Sequence, residues 1–248
     1  MKFSIILGKH LYLRLINQSS MKNIKIIGTS HISKQSIEEI RKSIEEDHPD
    51  IVAVELDLQR AAALMQKQKR NAGLSELMEV GLRGFLFVKI GQYVQEKLGR
   101  IVGVSPGSEM KTAIELANKN NIEIAYIDQP IRITLKNFSR GLRWREKGRF
   151  VADLFKGLIF PKKQAREMGL SSFDLSKVPQ QEVITKMINQ LRKRYPSIYK
   201  TLIEDRNRYM VKKLVRLVKD NPDKKILTIV GAGHKEGMEK LLLKFEIV

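Results

Sequence analysis

Residues 26–33 read IIGTSHIS and residues 229–237 read IVGAGHKEG, so two distant segments share one plan. Each begins with apolar residues that favour a β-strand and continues through a glycine to a histidine, in the frame Gly-x-x-His. The chain has only four histidines, and two of them stand in this frame. We expect both segments to be strands of one sheet, each followed at once by its histidine.

Strand-like and helix-like segments alternate between these two motifs. Four apolar runs favour strands, at 24–28, 50–57, 122–128 and 225–231. Helical periodicity follows Ser33, follows the capping residues Ser105 and Pro106, and precedes the last apolar run. Strands separated by helices indicate an α/β fold, with a mostly parallel sheet flanked by helices.

The sequence divides into three regions of different character. Residues 1–20 have a basic start and an interrupted apolar part, and they are predicted to be a leader of uncertain status. Residues 21–248 form the predicted α/β domain. Within it, 130–200 contain no strand-like run and favour several helices. Because 132–166 carry eleven Lys and Arg against two acidic residues, the prediction is a large basic helical insertion.

Composition limits the class of protein. Hydrophobic residues make up 42% and charged residues 29% of the 248 residues, which is typical of a soluble globular protein. No apolar run approaches the roughly 20 residues of a membrane-spanning helix. The chain has no cysteine, which excludes disulfides and thiolate ligands and suits the cytoplasm. A net charge of +19 keeps polyanions and anionic membrane surfaces open as partners, although no nucleic-acid-binding motif is present.

Three polar residues stand at the predicted strand ends. Ligands of open parallel sheets bind at the carboxyl ends of the strands, and His31 and His234 each come just after such an end. Glu55 follows a strongly apolar run, where a carboxylate is out of place unless it is paired or used. Two imidazoles and a carboxylate suit a divalent transition metal, so His31, Glu55 and His234 are candidate ligands.

The glycines of the two motifs are candidate ligand-binding positions. Gly28, Gly231 and Gly233 are predicted to form tight turns with positive φ, which would aim the next side chain over the sheet edge. Glycine-rich turns before helices also bind phosphate through backbone N–H groups. Other readings stay open at this point, because a histidine after a strand is often a packing residue and Glu55 could be paired with an arginine.

Four blocks of the sequence resemble one known family. They are GTSHISKQSIEEIRKSIEEDHPDIVAVELDLQR, PGSEMKTAIELANKNNIEIAYIDQPIRITLK, EDRNRYM and VGAGHKEGM, in this order. Together they resemble the TraB/PrgY family, the pheromone-shutdown proteins. That family is similar to the GumN and TIKI proteins and more distantly to erythromycin esterases and ChaN proteins, which implies an EreA/ChaN-like α/β fold.

The resemblance implies a metal-dependent hydrolase with a peptide substrate. TIKI proteins are metal-dependent proteases with two Gly-x-x-His motifs and a glutamate, which match His31, His234 and Glu55. Their metal is manganese or cobalt, and zinc is also compatible with these ligands.

Arg206 stands four residues before Met210, on the helix face expected to pack inward, and Asn207 is its neighbour in the family's Arg-Asn pair. Both are expected to orient substrate or stabilise negative charge. Asp128 ends the third predicted strand, where the family block also has an aspartate, and it is a further site candidate.

Two other functions remain open on the sequence alone. The crevice could bind and regulate a peptide without cleaving it, or the charge could serve a polyanion or an anionic membrane surface. Many family members continue into membrane-spanning helices, so membrane association is expected if this chain is a piece of such a protein. A helical insertion rich in aromatic residues also predicts a homodimer, in which residues 136–200 wall the partner's crevice.

Overall fold

The computed structural model describes residues 23–29, 34–65, 107–141, 143–146, 148–149, 152–153 and 181–246. The predicted leader, His31 and much of the basic insertion lie outside these residues. Within the described part of the chain, no helix has the length and the hydropathy needed to cross a membrane.

Four parallel strands form one sheet. They are β1 (Ile24–Thr29), β2 (Ile51–Val54), β3 (Glu123–Tyr126) and β4 (Ile226–Gly231), in the order β1-β4-β2-β3. All six residues of β4 are buried, because it has a neighbour on each side and helices on both faces. The predicted α/β class and the parallel sheet are confirmed, and the strands of the two Gly-x-x-His motifs are neighbours.

Helices connect and cover the strands. In chain order they are α1 (Lys34–Asp47), α2 (Leu58–Met65), α3 (Ser108–Lys119), α4 (Ile131–Gly141), α5 (Gln181–Arg194), α6 (Pro196–Tyr199), a π-helical turn (Lys200–Glu204), α7 (Asp205–Asp220) and α8 (Ala232–Glu246). The prediction that 130–200 is helical is confirmed for α4, α5 and α6, whereas residues 154–180 lie outside the described residues.

Each face of the sheet has its own apolar core. Met210 and Leu214 of α7 pack with Met238 of α8 on one face. On the other face, Ile40 of α1 packs with Met110 of α3 and their neighbours. These buried positions recur at helical spacing in the sequence, so the predicted inward stripes of α1, α3 and α7 are confirmed.

The predicted positive-φ turns at the motif glycines are wrong. Gly28 and Gly231 are strand residues and Gly233 lies in α8, whereas the one described glycine with positive φ is Gly107, at 81°. The motif glycines serve close packing instead. A Cβ on Gly28 would lie 3.1 Å from the Cα of Ala232, and a Cβ on Gly233 would lie 3.2 Å from Cδ1 of Ile188 in α5.

Helix α3 begins later than its predicted capping residues. The helix starts at Ser108, after Gly107 in the left-handed conformation that glycine adopts at little cost. Ser105 and Pro106 lie outside the described residues. Gly107 is therefore the N-cap of this helix, whereas the sequence had predicted Ser105 and Pro106 as its capping residues.

Within the predicted insertion, the described segment 152–153 is hydrogen-bonded to the end of α5. Asp153 accepts two hydrogen bonds from the guanidinium of Arg194 and one from the hydroxyl of Tyr195. Burial and the hydrogen bond to Asp153 raise the pKa of Tyr195 to about 12. Tyr195 also packs with Phe138 of α4 and Ile198 of α6 in a small third core. The described residues of this region thus share a third apolar cluster, separate from the two cores of the sheet.

Candidate functional site

Three predicted site residues meet at the carboxyl edge of the sheet. Glu55 directly follows β2, Asp128 comes two residues after β3, and His234 is the third residue of α8, just after β4. All three are buried, with relative exposures of 4%, 1% and 5%. They converge because β2 lies between β3 and β4 in a parallel sheet, so the three strand ends are adjacent.

Arg206 occupies the centre of this group. From the first turn of α7, its Nε and Nη2 contact the two carboxylate oxygens of Asp128, at 3.0 and 2.8 Å. Nη2 also contacts Oε1 of Glu55, and Nη1 contacts Nε2 of His234 at 3.1 Å and the carbonyl oxygen of Leu202 at 3.3 Å. These contacts use every N–H of the guanidinium.

The charge of Arg206 is stabilised by its two carboxylate partners. Burial by itself lowers the pKa of Arg206, but the negative charges of Glu55 and Asp128 and their hydrogen bonds outweigh it. The pKa therefore lies above its ordinary value, and the guanidinium stays charged at any physiological pH. The sequence left open that Glu55 is paired with an arginine. The structure shows this pair, and the arginine is Arg206.

His234 has a defined orientation. Its Nδ1 lies 2.6 Å from Oδ1 of Asn207, the residue next to Arg206 on α7. Because an amide oxygen only accepts hydrogen bonds, Nδ1 carries the proton. Because Nη1 of Arg206 only donates, its contact with Nε2 at 3.1 Å requires a lone pair on Nε2. Asn207 in turn packs on Gly237, where a Cβ would lie 2.3 Å from its Nδ2. The Gly-x-x-His motif and a glycine one turn later thus hold one imidazole in place.

Glu55 is held by β4. Its backbone N–H donates to the carbonyl of Ile229 at 3.0 Å, and its Oε2 accepts the N–H of Gly231 at 2.6 Å. The other oxygen, Oε1, lies 3.3 Å from Nε2 of His234. Thr29, the last residue of β1, pairs with Gly231. The end of β1 therefore lies next to the strand residue whose N–H holds this carboxylate.

The residues present fit part of a metal site. Two ligands bound to one ion at about 2.1 Å lie about 3–3.5 Å apart, the separation of Glu55 Oε1 and His234 Nε2. The second atom of each side chain is hydrogen-bonded, as is usual for metal ligands. The described residues contain no group of three His, Cys, Asp or Glu side chains placed to hold an ion, and the third predicted ligand, His31, lies outside them.

Arg206 and an ion compete for one atom of the site. In the described arrangement Arg206 contacts both Glu55 Oε1 and His234 Nε2, the two atoms that would be ligands. Nε2 of His234 has one lone pair, so binding of an ion there requires Arg206 to give up that contact. A carboxylate oxygen has further lone pairs, so the contacts of Arg206 with Glu55 and Asp128 can remain.

Two residues of the site, Asp57 and Arg60, were not predicted from the sequence. Asp57 accepts the N–H groups of Gln59 and Arg60 at 2.9 and 3.0 Å, which starts α2, and its other oxygen accepts the N–H of Ile131 at 3.2 Å. Arg60 reaches Oδ2 of Asp128 at 2.7 Å through Nη1. A cation in the first turn of a helix opposes the helix dipole, and this placement could have indicated a carboxylate partner.

Comparison with known proteins places these residues in a family. The model of the TraB/PrgY/gumN family matches residues 14–246. An uncharacterized protein of Methanocaldococcus jannaschii is 34% identical over 245 residues, covering 98% of this chain and 58% of that protein. The TraB domain-containing proteins of Mus musculus and Homo sapiens are each 25% identical, covering 88% of this chain and 62% of their own length. The chain thus spans less than two thirds of these relatives.

Proposed function

This chain belongs to the TraB/PrgY/gumN family, and from that membership we propose that it is a metal-dependent hydrolase that cleaves a peptide. One observation carries the proposal. A buried carboxylate and a neutral imidazole of fixed tautomer place Oε1 of Glu55 and Nε2 of His234 3.3 Å apart at the end of a parallel sheet. Burying such a pair costs free energy, and a role in metal binding and acid–base chemistry would explain why the protein has it.

His31, Glu55 and His234 are the residues that would hold the ion. A divalent ion, when bound, supplies Lewis acidity that polarises the scissile carbonyl and lowers the pKa of water. Nitrogen and oxygen ligands without thiolate suit manganese or cobalt, and zinc also accepts them. The family resemblance favours manganese or cobalt.

The remaining site residues position these ligands. Asn207 keeps the proton on Nδ1 of His234, and the N–H of Gly231 directs Glu55 toward the imidazole. Arg206 pairs with both Glu55 and Asp128, and its donors are all used within the protein. Arg206 would tune the charge of the site, and it would reach a substrate oxyanion only with Nη1, the donor that now contacts Nε2 of His234.

Metal analysis of chelator-free protein, purified without a nickel column, tests the site. We expect about one divalent ion per chain in the wild type, and none when His31 or His234 is replaced by alanine, because two ligands hold an ion weakly. His48→Asn is the matched control: His48 is an exposed histidine on α1's C-terminal side with a φ of 45°, which asparagine tolerates. Binding should also weaken below about pH 6, since an imidazole must lose its proton to ligate.

Two roles are open to Glu55, that of metal ligand and that of general base, and the variant Glu55→Gln distinguishes them. Digestion of a random peptide library, read by mass spectrometry, should show cleavage by the wild type and by His48→Asn. A Glu55→Gln protein that keeps the ion but no longer cleaves has lost a general base, whereas loss of both identifies a ligand. Full metal content in the His31/His234 double variant would contradict the site. Binding of library peptides without cleavage in the metal-loaded wild type would instead identify a peptide-binding protein.

A further inference from the structure

Two arginines meet at Asp128, and they differ in the donors that remain to them. Arg206 uses all its N–H groups, and its side chain is 15% exposed. Arg60 has a side chain that is 36% exposed and, within the described residues, uses only Nη1 for its guanidinium contact. Among the described residues, its Nε and Nη2 groups therefore have no hydrogen-bond partner.

Asp128 does not need Arg60 to satisfy its own hydrogen bonds. One oxygen accepts the N–H of Gln129 at 2.7 Å and Nε of Arg206 at 3.0 Å. The other accepts Nη2 of Arg206 at 2.8 Å, so its hydrogen bonds are satisfied before Arg60 is counted. Arg60 adds a second positive charge beside two buried carboxylates, and its Nη1 contact alone is enough for that role, so the Nε–Nη2 edge is not needed for it.

Arg60 is held beside the candidate metal ligands. Nη1 of Arg60 and Nη2 of Arg206 contact the same oxygen of Asp128, at 2.7 and 2.8 Å, and Nη2 of Arg206 also contacts Glu55. The two guanidinium groups are thus neighbours. The backbone N–H of Arg60 is fixed by Asp57, so both ends of the residue are anchored.

We propose that Arg60 binds a carboxylate of the peptide substrate through its Nε–Nη2 edge. Arg206 holds Asp128 through this same edge, with two parallel N–H groups that match the two oxygens of a carboxylate. The identification of the carboxylate with a peptide rests on the proposed function. Carboxylate binding by Arg60 does not, and it can be measured without metal or cleavage.

The position of Arg60 relates the carboxylate to the bond that is cut. Nη1 of Arg60 is linked to Oε1 of Glu55 through Oδ2 of Asp128 and Nη2 of Arg206. Consecutive Cα atoms are about 3.8 Å apart, so a carbonyl at Glu55 and a carboxylate at Arg60 belong to residues a few positions apart in a peptide. If the carboxylate is the C-terminus, the enzyme removes residues from that end. If it is an acidic side chain, the enzyme cuts near aspartate or glutamate.

Three small probes distinguish these sources. They are N-acetyl-Ala-Ala with a free carboxylate, the same dipeptide as its amide, and N-acetyl-Glu-Ala amide. Binding to the full chain is followed by calorimetry and by the side-chain ¹⁵Nε–H resonance that Arg60→Lys removes. We expect the wild type to bind one or both carboxylate probes at least about tenfold more tightly than the amide, because charge-assisted hydrogen bonds are the stronger kind.

Variants identify the arginine responsible. Arg60→Gln should weaken binding of the carboxylate probe about tenfold or more, and Arg60→Lys should keep part of it, since lysine keeps the charge without the fork. Arg41→Gln is the control, because Arg41 on α1 is an exposed arginine, 44% exposed, paired with a glutamate away from the site. If peptide cleavage is found, Arg60→Gln should raise KM for the preferred carboxylate peptide and leave its amide unchanged.

Each outcome bears on Arg60 directly. Equal binding of all three probes by the wild type, or no detectable binding, overturns the inference even if metal-dependent cleavage is established. Carboxylate binding that disappears in Arg60→Gln supports it even if the protein proves not to be a hydrolase. Carboxylate preference that survives in Arg60→Gln assigns the site to another residue and also overturns it.

Discussion

Arg206 determines how the buried charges of the site coexist. Glu55 and Asp128 are both almost fully buried, and each depends on the guanidinium between them. Removing one partner of such a group leaves an unpaired buried charge and typically costs about 3–5 kcal/mol. Variants of Arg206 therefore report on stability as well as on the site, and residues that act through Asn207 and His234 give cleaner tests.

Gly237→Ala tests whether Asn207 positions His234. The new Cβ would lie 2.3 Å from Nδ2 of Asn207, so the amide must move from the imidazole. We expect the free energy of unfolding to fall by about 1–3 kcal/mol, as in other overpacked sites. Metal affinity should fall about 10–100-fold, because the partner of a histidine ligand tunes it. Denaturant unfolding and metal titration measure the two effects.

Gly148→Ala is the control for that substitution. A Cβ on Gly148 meets no atom of the described residues within 4 Å, and the residue lies in a helical segment. The change should be neutral or slightly stabilising, because alanine favours helices over glycine. A Gly237→Ala protein that behaves in the same way, with Nδ1 of His234 still protonated by NMR, would contradict the positioning role of Asn207.

Strand β4 is the element on which the site is built. It pairs with β1 on one side and β2 on the other, and its end supplies the N–H that holds Glu55 and the turn into His234. It also contains Thr228, which is fully buried and whose Oγ1 has no hydrogen-bond partner among the described residues. A central strand with an unpaired hydroxyl gives up stability at that position.

Thr228→Val should stabilise the protein. Valine replaces the unpaired hydroxyl with a methyl group of similar size, and the desolvation cost of about 1–3 kcal/mol is removed in part or in full. We therefore expect the free energy of unfolding in urea to rise by about 1 kcal/mol or more. Thr29→Val on β1 is the matched comparison, since the hydroxyl of Thr29 donates to Val230 at 3.3 Å. Equal effects of the two substitutions would contradict this account.

At the scale of the whole molecule, one helix of the predicted insertion packs on the helix that carries His234. Helix α5 packs against α8, with Ile188 against Gly233 and a hydrogen bond of 3.1 Å from Thr185 to Glu236. This helix is therefore a neighbour of the candidate site in its own chain. Trp144, in the described segment 143–146, is 77% exposed, which makes it a candidate contact for a second copy.

We expect a homodimer in which the region of Trp144 meets the partner. Sedimentation at micromolar concentration should give about twice the 28.5 kDa chain mass. Trp144 is the only tryptophan, so its emission should shift to shorter wavelength as dilute protein is concentrated and the ring becomes buried. Trp144→Ser should lower the mass toward the monomer, whereas Leu243→Ser, which changes an exposed leucine of α8, should not. A monomer across this range contradicts the dimer and leaves the metal site unaffected.

The local pattern of the sequence was enough for the fold class and for several members of the site. Alternating strand and helix periods predicted the parallel sheet, because each period reports which residues of one element are buried. Glu55 stood out as a carboxylate after an apolar run, and His234 as part of a repeated motif. Asp128 and Arg206 were nominated from a strand end and an inward helix face, both local features.

Only the tertiary structure decided which of these residues contact one another. Arg206 meets Glu55 across 151 residues of sequence and His234 across 28, and Asp128 joins them because β2 separates β3 from β4. Strand order and helix placement depend on packing over the whole chain, and no local period encodes them. For the same reason the local sequence predicted no role for Arg60, and it predicted turns at the motif glycines, which in the folded chain pack closely against neighbouring elements.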